Sequence, residues 1–258
     1  MKNIWVLAQK ELRSYFSSPI AYIVLAMFAV IFGYFFYMAT ALFVDYSLRS
    51  MMQRGMAPPM NINDFIIRPL LMNVSVIVLF LMPMITMRLF AEEKRTGTIE
   101  LLLTSPLRDI EIVLGKWLAA LLLYASLLAI SAVNIVFLFI YGKPDWKAVL
   151  VGYLGLLLLG AAFLGLGAFL STLTKNQIIA GSLTFGVFLL LWVLDWVSST
   201  SSGTSTPSKV LAYLSITTHF EPFAKGVLDL KDGIYYLSAI FLGVFLTLRS
   251  MESLRWRA

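Results

Sequence analysis

Five of the 14 acidic side chains of this chain fall in one short stretch. Glu92, Glu93, Glu100, Asp109 and Glu111 fall there, interleaved with Lys94, Arg95 and Arg108. Carboxylates at that density could serve general acid–base chemistry or hold a metal, but such work normally recruits histidine or thiolate beside them. The chain has 1 His, the distant His219, and 0 Cys. Thiol nucleophiles, disulfides and clustered imidazole sites are therefore excluded. A phosphate loop is missing too: Gly115-Lys116 is followed by Trp117, and Ile110 stands where the first glycine would fall. A dense charged block between two apolar runs reads as a surface that docks another protein, or as a solvated turn between spans.

Other polar residues interrupt apolar runs. Asn73 and Ser75, Asn134 and Asp195 are costly inside a bilayer and so are pathway candidates. Asn73 and Asn134 also read as interhelical hydrogen-bonding groups, and Asp195 as a side chain snorkelling outward. His219, beside Phe220 and Phe223, reads as a structural group bonded to a loop carbonyl or as a pH or substrate sensor. Pro83 predicts a kink or a hinge in the run that carries Asn73.

The elements that position these residues follow from composition. Of 258 residues, 60% are hydrophobic and 13% charged, with a mean hydropathy of +0.86; soluble domains carry about 25% charged residues. This is an all-α integral membrane protein. Runs at Ile20–Val44, Leu70–Phe90, Val113–Tyr141, Val149–Leu173, Ile178–Val197 and Gly233–Leu248 predict six spans, each needing about 20 apolar residues. Asp45 to Pro69 reads as an irregular loop, Ser198 to Pro207 as a polar linker, and Lys209 to Asp232 as one or two short helices. Glycines along Val149–Leu173 and Ser182 with Gly186 in the next run let helices approach closely, within one subunit or between two.

Residues 4 to 16 have the periodicity of an interfacial amphipathic helix: Ile4, Ala8, Leu12 and Phe16 share an arc of about 120°, with Lys2, Lys10 and Arg13 turned away. Even span number puts both termini on one side. With that side the cytoplasm, twelve of the 20 Lys and Arg lie inside, among them Lys2, Lys10, Arg13, Arg88, Lys94, Arg95 and Arg249, against eight outside. The bias predicts an N-in, C-in arrangement. The expected organisation is residues 1–19 as the interfacial helix and 20–248 as the membrane domain, with a cytoplasmic segment 91–112 and an external segment 198–232. A basic tail occupies 249–258. The net charge of +6 is spread over short loops beside the spans and does not point to nucleic acid.

Gly97 and Pro106 break helix on both sides of Thr98–Thr104, predicting a short helix after the second span. It carries Ile99, Leu102 and Leu103 with Glu100 polar, a mixture suited to a groove on another protein. Ser105-Pro106 predicts the N-cap and first residue of the following helix.

The run Glu93-Lys94-Arg95-Thr96-Gly97-Thr98-Ile99-Glu100-Leu101-Leu102-Leu103-Thr104-Ser105-Pro106 resembles the loop after the second span in permease subunits of ABC-2 type transporters. Ser215 to Gly226, through His219, Phe220 and Phe223, is similar to that family's external segment, with Ile216 where proline is common. The resemblance covers essentially the whole chain and is strongest to the gliding-motility-associated subgroup. It implies a permease that lacks an ATPase site, in a prokaryotic inner membrane. It also implies a second permease, identical or not, accessory membrane subunits, and a pair of ATP-binding subunits that hold ATP and Mg. Those subunits would grip Glu92, Glu93, Lys94, Arg95, Gly97, Thr98, Ile99, Glu100, Leu102, Leu103 and Pro106. Two other classes stay open: a secondary transporter, which would want paired charges deep in its spans and repeated halves, and an integral membrane enzyme with its acids clustered at one face.

Overall fold

The computed structural model describes residues 2–52, 61–200, 210 and 213–255. Among them no strand occurs, and six helices are long and apolar enough to cross a membrane. In chain order the helices are α1 (Lys2–Ser17), α2 (Pro19–Met52), α3 (Arg68–Thr86), α4 (Ala91–Thr96), α5 (Thr98–Thr104) and α6 (Asp109–Tyr141). There follow α7 (Trp146–Thr172), α8 (Gln177–Thr200), α9 (Ile216–Ala224) and α10 (Leu230–Arg255). A single π-helical turn, Asn63–Ile67, leads into α3.

Two sequence expectations need correcting. The stretch from Asp45 is helix as far as Met52, so α2 has 34 residues and at 1.5 Å per residue reaches about 51 Å, well beyond a hydrocarbon core of about 30 Å. Polar residues there stay helical because Arg49 pairs with Asp45 one turn earlier, at 3.0 Å. The polar linker likewise begins late: α8 runs through Ser198 to Thr200, and positions 201–207 lie outside the described residues.

Helix α7 is the centre of the bundle, packed against α3, α6, α8, α9 and α10. Small residues make that possible. Gly165 on α7 faces Gly243 on α10 so closely that a Cβ on Gly243 would stand 2.4 Å from the Gly165 carbonyl carbon. On neighbouring turns Tyr124 of α6 fills the space beside Gly160, and Phe223 of α9 that beside Gly155. The glycines of this helix therefore serve packing within the chain, whereas Gly186 of α8 faces open space.

The two ends of the bundle differ in kind. At one end lie α1, α4, α5, the start of α6 and the last turns of α10. The other carries the π turn, the α6–α7 loop and α9. There Asn63 exchanges hydrogen bonds with the backbone of Asp145, and Arg68 meets Glu221 at 2.8 Å.

Candidate functional site

The charged stretch begins where α3 runs out. Pro83 sits in its last turn, and the chain turns through Met87 to Phe90 before α4. The Ser171 hydroxyl of α7, fully buried, organises this turn: it accepts the backbone N–H groups of Phe90 and Ala91 at 3.1 Å each and donates to the Met87 carbonyl. It satisfies amide donors that open α4, a job usually done by a local cap. Lys94 donates to the backbone carbonyl of Thr172, and Thr172 in turn bonds Ser250 of α10 at 2.7 Å.

Gly97 ends α4 at φ +74°, the left-handed region that costs glycine nothing. Thr96 and Thr98 join their hydroxyls across it at 2.9 Å. Helix α5 follows over Thr98–Thr104, the span expected from its flanking breakers. Its apolar residues divide. Ile99 and Leu102, three apart and so on one face, pack inward on the chain's own core. Leu101 turns the other way and is 73% exposed, on the same face as exposed Thr98 and Thr104 and next to exposed Glu100. Leu101 thus replaces Ile99 and Leu102 as the apolar side chain offered outward; the Leu103 side chain lies outside the described residues.

The expected N-cap at Ser105 is a correction of a different sort. Ser105 closes α5, its hydroxyl donating to the Leu102 carbonyl at 2.6 Å, and exposed Pro106 lies in the turn that follows. Helix α6 starts at Asp109, where Glu111 accepts from the Arg108 N–H at 3.1 Å. The carboxylate three residues into the helix supplies the reciprocal half of a capping box, and no such group follows Ser105 at that spacing.

Of the acids in this stretch, Glu93 points into the protein, whereas Glu92 stays partly exposed. Glu93 lies 2.7 Å from the ammonium of Lys116, which also stands 3.4 Å from Glu11 of α1. Lys116 is 2% exposed. Glu92 lies 3.9 Å from Arg88. Arg95 and Glu100 remain outward. Beside these charges opens a polar cleft of about 400 Å³ lined by Ser14, Tyr15, Ser17, Arg88 and Glu92.

Residues considered for a pathway are not gathered into one. Asn73 is half-buried in α3. Asn134 donates to the Ile130 carbonyl of its own helix at 3.3 Å, so the described bond is intrahelical. Asp195 belongs to α8, but its side chain lies outside the described residues. His219, Phe220 and Phe223 are buried at the far end of the bundle. His219 donates from Nε2 to the Tyr213 carbonyl at 3.0 Å, stacks on Tyr235 at 3.9 Å and holds Asp232 through Nδ1 at 2.6 Å. A carbonyl only accepts, so the Tyr213 contact takes its hydrogen from Nε2. The ring therefore pins α9 to the start of α10.

Sequence reasoning named the charged residues but missed Ser171, Leu101 and the Lys116 contacts. A family model described as ABC-2 family transporter protein matches residues 5–248. No curated protein matches the chain.

Proposed function

The chain belongs to the ABC-2 transporter family and is a multi-pass membrane protein, and from that premise we propose that it is the permease subunit of an ATP-driven transporter whose ATPase is a separate chain. The observation that carries the reading is the outward face of α5. Leu101, Glu100, Thr98 and Thr104 stand clear of the bundle, on a short helix fastened by its other face to the ends of the spans. An exposed leucine among polar residues, on a helix with rigid backing, suits insertion into a groove on a cytoplasmic ATPase.

In this reading α1, α4, α5 and both termini face the cytoplasm of a prokaryotic cell, in line with the basic residues clustered there. ATP and Mg bind the partner, which works as a pair, and two permease chains complete the assembly, joined by accessory membrane subunits. Nucleotide-driven closure presses on α5; it does work only if the two arrangements of the spans make different contacts with the ATPase. The segment Ser215–Gly226 supports placement beside the gliding-motility-associated permeases.

The test is to extract the protein from membranes and ask whether an ATPase encoded next to it co-purifies. Leu101→Asp and Glu100→Lys should lose the ATPase while inserting normally. Retention of the ATPase by both variants would remove the docking role of α5.

A further inference from the structure

Helix α1 is seated on α6 by a close approach. Leu7 lies over Gly115, where an added Cβ would come within 2.8 Å of it, and Asn3 bonds Glu111 at 3.1 Å. Helix α4 is not seated that way: it packs on α5 and α8, and across from α1 it faces the polar cleft of about 400 Å³. An ammonium links α4 to the α1–α6 unit. Lys116, one residue after Gly115, is 2% exposed. It reaches Glu93 of α4 at 2.7 Å and Glu11 of α1 at 3.4 Å, and lies 5.6 Å over the Phe90 ring. A charge taken out of water to this degree is tolerated because two carboxylates and a ring face meet it. Removing it would leave Glu93 and Glu11 in one partly buried corner, with Lys10, 3.9 Å from Glu11 and itself largely exposed, as the remaining counter-charge.

We propose that Lys116 is a positioning residue that makes the α4–α5 segment, the N-terminal helix and the start of the third span move as one body. The segment's role in coupling rests on the function proposed above; the attachment itself does not. Force arriving at Leu101 would pass through α5 and α4 to Glu93 and then to Lys116. From there it would reach α6 directly and α1 through Glu11. The second fastening, Lys94 to Thr172 and Ser171 to the start of α4, leads instead to α7.

The chain has 0 Cys, so a label pair can be introduced cleanly. Arg13→Cys on α1 and Arg95→Cys on α4, both exposed positions, would carry spin labels in the isolated chain in lipid nanodiscs, with inter-label distances and thermal unfolding both recorded. The native background should give one narrow distance distribution. Lys116→Met should broaden and lengthen it, and Lys116→Arg, which keeps a cation between both carboxylates, should restore it. If Lys116→Met fails to insert, Glu93→Gln removes the same link from the other side while Glu11 still neutralises the ammonium. A lowered unfolding temperature with an unchanged distance distribution would show a merely structural lysine and overturn the proposal. Failure of an ATPase to co-purify would count against the proposed function without touching this result.

Discussion

Gly165 and Gly243 meet backbone to backbone where the fourth and last spans cross. Position 243 admits no side chain, since even a methyl group on Gly243 would overlap the Gly165 carbonyl. Without a hydrophobic force between helices in lipid, such close packing supplies the attraction. Gly243→Ala should therefore destabilise the bundle by about 1–3 kcal/mol, read as a lower unfolding temperature in detergent or nanodiscs. Gly186→Ala, where no atom lies within 4 Å, should leave the isolated chain unchanged.

Ser171 and the start of α4 allow a sharper test. Ser171→Ala strands two buried amide donors, worth roughly 1–3 kcal/mol in local stability, while removing one oxygen atom. Amide exchange at residues 90–96 should rise well above exchange in α7 itself. Equal protection in native and variant would show that the hydroxyl does not hold the turn.

Gly97 at φ +74° has nothing within 4 Å of a built Cβ, so a substitution there meets strain from the backbone alone. Gly97→Ala should cost about 1 kcal/mol, and Gly97→Asn less, because asparagine visits the left-handed region more readily. Exchange rates across residues 98–104 would report the order Gly, Asn, Ala.

At the far end, hydrogen bonding from Lys225 holds the Glu221 carboxyl below its usual pKa; burial opposes it, and the charges of Lys225 and Arg68 outweigh that opposition together with the hydrogen bonds. A lowered value means the folded state prefers the ionised form. The stabilisation is therefore present above the ordinary carboxylate range and lost as pH falls through the lowered value. Glu221 is largely solvent-exposed, so the contribution is small, about 0–1 kcal/mol. Thermal unfolding of Glu221→Gln and the native chain should differ slightly near neutral pH and converge in acid.

His219 and Asp232, 4% and 1% exposed, pin α9 to α10 through their 2.6 Å contact. Asp232→Ala removes the partner of Nδ1 and should loosen α9, seen as faster exchange at residues 216–224. Unchanged protection there would assign α9's position to the packing of Phe220 and Phe223 alone.

The class and the span number were legible in the sequence, because apolar runs of span length in a chain with few charges admit little else. Gly97 and Thr98–Thr104 were legible for a local reason: a positive-φ glycine and helix breakers act through their own backbone. Asp45–Met52 was not, since a polar stretch continues a helix or leaves it according to pairs such as Asp45 with Arg49. Nor was the start of α6, which went to the residue with a carboxylate three positions on, in preference to the serine–proline signal.

By itself, then, the sequence determined that this is a six-helix membrane protein with a charged, helix-broken segment after its second long span, because those properties follow from hydropathy and backbone conformation along the chain. Tertiary structure alone decided which side chains of that segment face outward and which hold it. Glu93 meets Lys116, Ser171 caps α4 from 80 residues away, and Leu101 is left free while Ile99 and Leu102 turn in. Each of these depends on where another helix lies, and a buried charge or hydroxyl takes its partner from whatever the fold brings near.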